Sequence, residues 1–85
     1  MFINKNADGS NNLCGKHIAA IRKTLGLSQR ELADRMQLAG LDVDKNAIQR
    51  IEAGKRFVTD IELGYFCDVL QVSAEVLLNR KPSRH

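Results

Sequence analysis

The sequence predicts an all-α domain of five helices, and three observations carry that prediction. Ser28-Gln29-Arg30-Glu31 and Thr59-Asp60-Ile61-Glu62 both have the capping-box form that opens a helix. Apolar residues recur at intervals of three and four in several segments. No segment alternates with the period of two that a half-buried strand requires, so no sheet is expected.

The elements follow in order. Residues 1 to 12, MFINKNADGSNN, are rich in Asn, Gly, Ser and Asp and lack periodicity, which predicts a flexible arm. From Leu13 the residues Ile18, Ile21 and Leu25 keep helical spacing until Gly26 stops the pattern, giving a first helix. Ser28 then caps a second helix that starts at about Gln29, with Leu32, Ala33 and Met36 as its apolar stripe. Ala47, Ile48 and Ile51 carry another stripe, and Gly40 stands between the two. Gly40 suits the left-handed residue just past a helix end, with Leu41 reaching back to Met36, and Asp44 has the side chain of an N-cap. A corner therefore separates the second helix from a third that runs from Lys45 to Ala53. Thr59 caps the fourth helix, whose buried face is Leu63, Phe66, Cys67 and Leu70. Val72-Ser73 opens a short fifth helix in which Val76 and Leu77 or Leu78 pack inward, ending near Asn79. The domain is thus expected at 13–79, with a polar tail at 80–85.

A chain of 85 residues, 44% hydrophobic and 27% charged, is ordinary for one soluble domain and too short for two. Domains near this size bury only about 60% of their unfolded surface, so a deep catalytic cleft would compete with the core for residues. Cys14 and Cys67 stand apart, and His17 has no ligand companion; no metal site, cofactor or enzymatic constellation can be assembled. The expected reading is two reduced thiols, with Cys67 buried as a small hydrophobe, and Tyr65 and Phe66 in or near the core. Asp42-x-Asp44-x-Asn46 imitates the start of a calcium loop, but Ala47 stands where that loop needs Gly and Ala53 where it needs Glu. No apolar run approaches the roughly 20 residues that span a bilayer, and the first residues hold no signal-like stretch, which predicts a cytoplasmic protein without a membrane partner.

The net charge of +3 is unevenly spread. Leu13 to Arg56 holds nine basic and five acidic residues, whereas Phe57 to Asn79 holds four acidic and no basic ones. An anionic partner facing the first part is one explanation and a merely solvated surface the other. The third helix favours the former. With Ala47, Ile48 and Ile51 turned to the core, Lys45, Asn46, Gln49 and Arg50 point outward together with no acid among them. Arg can fork onto guanine O6 and N7, Asn or Gln onto adenine N6 and N7, and Lys can reach guanine or a phosphate. Gln29 and Arg30 lie at the start of the second helix, where unpaired amides and the positive helix end suit a phosphate. Lys55 and Arg56, after the third helix, are candidates for the same role.

LGLSQRELA (25–33), VDKNAIQRIEAGKR (43–56) and LQVSAEVLL (70–78) together resemble the phage repressor and Cro type of helix-turn-helix DNA-binding domain, the lambda-repressor-like fold. The resemblance covers 13–79 with the three blocks in the family's order. It implies five packed helices, the second across the DNA backbone and the third in the major groove. It also implies a backbone-clamping role for Gln29 and a structural ion pair between Arg22 and Glu52. The corner departs from the family: the interval from Ala33 to Ile48 is about five residues longer than its tight turn, so the second helix is expected to be extended by roughly one turn and the loop lengthened. The expected function is sequence-specific binding of double-stranded DNA by a small repressor. A single recognition helix reads few base pairs, so a homodimer on a symmetric operator is expected, formed through Val76, Leu77 and Leu78 of the last helix because no further domain follows. The rival is a protein-binding module on the same fold, such as an antitoxin-like partner, which a large exposed apolar patch away from the third helix would favour.

Overall fold

In the computed structural model, which describes residues 12–78, four of the five helices open on a side-chain cap. Ser28 Oγ accepts from the Glu31 amide at 3.0 Å while Glu31 Oε1 accepts from the Ser28 amide at 2.8 Å, and α2 (Gln29–Ala39) follows. Thr59 and Glu62 repeat the exchange at 3.1 and 3.0 Å and open α4 (Asp60–Leu70). Asp44 Oδ1 accepts from the Ala47 amide at 2.8 Å to open α3 (Lys45–Glu52), and Ser73 caps the single-turn α5 (Ala74–Leu77). The first helix, α1, is Gly15–Thr24, two residues shorter at its start than the apolar spacing implied. Its N-cap residue, Cys14, makes no side-chain cap bond. Among the described residues no strand occurs.

The corner between α2 and α3 is built as the sequence suggests. Gly40 has φ +114°, its amide donates to the carbonyls of Gln37 and Met36, and the Leu41 amide donates to Met36 at 3.0 Å. The residues between Gly40 and Asp44 are not a loose excursion. Val43 is buried, Leu41 packs on the core, and Gln37 Nε2 donates to the Val43 carbonyl at 2.7 Å. The last turn of α2 is therefore fastened to the loop that follows it.

The core draws on every helix: Ile18 from α1, Leu32, Ala33 and Met36 from α2, Ile48 and Ile51 from α3, Phe66 and Leu70 from α4, Leu77 from α5. Each fully buried Ile, Leu or Phe side chain contributes about 1.5 to 3 kcal/mol. The short α3 packs on α2 and α1, while α5 closes the far side against α1 and α4.

Three expectations are corrected here. Leu77 is completely buried, so it belongs to the core and not to a dimer surface, while Val76 is 47% and Leu78 38% exposed. A helix of one turn can turn only one of three consecutive side chains inward. Cys14, at 1% exposure, takes the fully buried place expected of Cys67, which is half-buried. Burial pushes the Cys14 thiol up to about 11. Asn12, assigned above to the arm, is hydrogen-bonded into the domain. The rest of the arm, residues 1–11, and the tail lie outside the described residues.

Candidate nucleic-acid interface

The eight residues of α3 divide cleanly. Ile48 and Ile51 are buried and Ala47 is half-buried, which leaves Lys45, Asn46, Gln49 and Arg50 all exposed. Lys45 with Gln49, and Asn46 with Arg50, are four apart, so they form two adjoining rows in which the members of each lie about one 5.4 Å turn apart along the helix. The strip offers donors and acceptors suited to base edges in a groove wide enough for a helix.

The only carboxylate within α3 is withdrawn from this strip. Glu52 is gripped by Arg22, Nε to Oε2 at 2.7 Å and Nη2 to Oε1 at 3.0 Å, with both side chains at least nine-tenths buried. Arg22 Nη1 donates in turn to the Leu27 carbonyl at 2.8 Å, and hydrogen bonding to Glu52 holds the guanidinium above its usual range. This pair ties α1 and the turn after it to the end of α3. Loss of one partner from so dry a pair costs about 3 to 5 kcal/mol.

Gln29 joins the same network: its Nε2 donates to Glu52 Oε1 at 3.0 Å. Thus the residue expected to clamp a phosphate also steadies the end of α3, and its amide nitrogen keeps a second hydrogen for an anion. Arg30 beside it is exposed at the positive end of α2. These two candidates therefore lie next to the C-terminal end of α3, whereas Lys45 and Asn46 lie at its other end, by the corner.

After α3 the two basic residues part company. Lys55 is exposed. Arg56 forks onto Glu62, Nη2 to Oε2 at 2.8 Å and Nη1 to Oε1 at 3.1 Å, which offsets the charge that a phosphate would need. The reason is the capping box of α4, which holds the Glu62 carboxylate within reach of the loop. The Arg56 bond comes first in holding the Glu62 carboxyl below its usual range.

Sequence reasoning overlooked Asn12, whose only local signal is its place three residues before Gly15, the spacing at which a side-chain oxygen can serve a helix start. Among the described residues no group of three or more His, Cys, Asp and Glu could hold a metal ion, and no helix is long and apolar enough to cross a membrane.

A family model described as a helix-turn-helix domain matches residues 15–79. No curated protein matches the chain.

Proposed function

The chain belongs to the helix-turn-helix domain family, and from that premise we propose that it binds specific sequences in double-stranded DNA and represses transcription, as a dimer on a symmetric operator. The observation that carries this reading is the outward strip of α3, four polar or basic side chains whose neighbouring acid is locked away beneath them. In this reading Lys45, Asn46, Gln49 and Arg50 face base edges, and Gln29, Arg30 and Lys55 hold phosphates. Arg56 acts at one remove, bracing the loop through Glu62. The exposed Val76 of α5 and Leu78 just after it are the residues offered for a second copy.

Selection of bound sequences from a random DNA pool tests the reading. An enriched motif with two-fold symmetry is the expected result. Against that operator, Arg50→Ala should lose about 1 to 3 kcal/mol and flatten the preference at one base pair. Lys55→Ala should keep the preference and reduce the salt slope by about one unit, since one phosphate contact and its counterion are removed. Equal weakening of every DNA by Arg50→Ala would mean that α3 does not enter the groove.

A second reading, binding of another protein, is favoured by one observation: Ile61 is 69% and Phe57 54% exposed around the start of α4, outside α3. Failure to enrich any DNA motif at moderate salt would shift the conclusion to it.

A further inference from the structure

Asn12 joins the start of α1 to the end of the helix that faces DNA in the reading above. Its Oδ1 accepts from the Gly15 amide at 2.7 Å, serving a helix whose N-cap residue offers no side-chain bond. Its Nδ2 donates to the Ile51 carbonyl at 3.0 Å and to the Arg56 carbonyl at 2.8 Å. These carbonyls stand at the two ends of the stretch that carries Lys55, so a single amide group closes it. Gly15 lets the chains come together, because a Cβ there would overlap the Ile51 carbonyl oxygen.

We propose that Asn12 is a positioning residue for DNA recognition: it locks the C-terminal end of α3, and with it Arg50 and Lys55, onto the N-terminus of α1. The proposal rests on the DNA-binding reading. The physical need arises from the length of α3, which has only eight residues and about two turns with which to hold its own direction. A bidentate bond to a base tolerates only a narrow range of donor distances, so a displacement of about 1 Å at Arg50 would break it. A lysine on a flexible stem follows a phosphate through the same displacement. Loosening this clasp should therefore erode specificity more than affinity.

Asn12→Asp and Asn12→Ala separate the two tasks of the side chain. Aspartate keeps the acceptor for Gly15 and places a negative charge at a helix start, where it is favoured, so α1 still begins there even if the alanine variant fails to fold. It loses both donors and sets a carboxylate against two carbonyl oxygens. Two measurements are needed in each variant, amide hydrogen exchange and discrimination between the wild-type operator and its single-base variants. The amides of Gly54 and Lys55, which close the end of α3 onto Ile51 and Arg50, should exchange about ten-fold faster, while that of Leu32 in α2 stays unchanged. Discrimination at the base pair assigned to Arg50 should fall about ten-fold, as a ratio that cancels any uniform effect of the new charge on affinity. Unchanged exchange at Gly54 and Lys55 would overturn the clasp. Faster exchange with discrimination intact would overturn the positioning role. If the wild-type protein enriches no DNA sequence, the DNA-binding reading fails and the positioning role with it, whereas the exchange data still decide whether the clasp exists.

Discussion

Two glutamates, Glu52 and Glu62, are each forked by an arginine, yet they call for different experiments. Glu52 is buried with Arg22 and holds α3 to α1, so its removal acts on the whole domain. Glu62 lies nearer solvent, and both Arg56 and the Thr59 amide favour its ionised form. Its folded-state pKa is lowered, so its contribution to stability is fully present above the ordinary glutamate value of about 4.3 and is lost as pH falls through the lower folded value. Glu31 shifts in the same direction, chiefly through the Ser28 amide. Glu62→Gln tests this, because glutamine still fits the third position of a capping box while the ion pair is gone. Thermal unfolding should show the variant less stable than wild type at neutral pH, with the difference shrinking as the solution is acidified below about pH 4.3. A difference that stays constant with pH would show that the pair contributes nothing beyond the cap.

The helices themselves were legible because their signals are local. Ser28 and Glu31, Thr59 and Glu62, Gly40, and Asp44 each act within one turn of chain, so the spacing of residue types carries the geometry. The Arg22–Glu52 pair spans 30 residues and was accessible only through resemblance to a family. Gln29 on Glu52, and Asn12 on Ile51 and Arg56, depend on which helix ends meet, which no local spacing encodes. Helix ends also give an element-scale prediction. Gly40 follows α2 at φ +114° with the Tyr65 ring beside it, whereas the equivalent left-handed residue after α4 is Gln71, at φ 58°. A side chain in that region costs roughly 1 to 2 kcal/mol, and glycine gives back part of the gain in unfolded-state entropy. Gly40→Val should therefore destabilise the domain by about 1 to 2 kcal/mol. Gln71→Gly should stabilise it by about 0.5 to 1 kcal/mol. Denaturant titrations of both variants check the pair; opposite signs are required, and a neutral Gly40→Val would mean that the corner does not depend on the left-handed residue.

At the scale of the whole molecule the DNA-binding proposal raises the question of how a domain this small would acquire affinity for an operator. One short recognition helix spans few base pairs, and a symmetric pair of domains doubles the contact without new chemistry. Three consecutive apolar residues at the end of α5 and its C-cap stand in different situations: Leu77 is wholly inside, while Val76 and Leu78 are partly exposed on either side of it. If a second copy docks on α5, only the outer two can meet it. Leu77→Ala should then act on folding, at about 2 to 5 kcal/mol, as removal of a buried Leu side chain does. Val76→Glu and Leu78→Glu should leave the thermal midpoint nearly unchanged, since a surface substitution away from special features alters stability by no more than about 0.5 kcal/mol. On DNA the outer variants should bind an isolated half-site like wild type but lose the steep, cooperative binding to the full operator. Sedimentation of each protein, free and with full operator, gives the stoichiometry directly. Full-operator binding that stays cooperative in both glutamate variants would remove α5 from the interface and move the search to the exposed Phe57 and Ile61 at the start of α4.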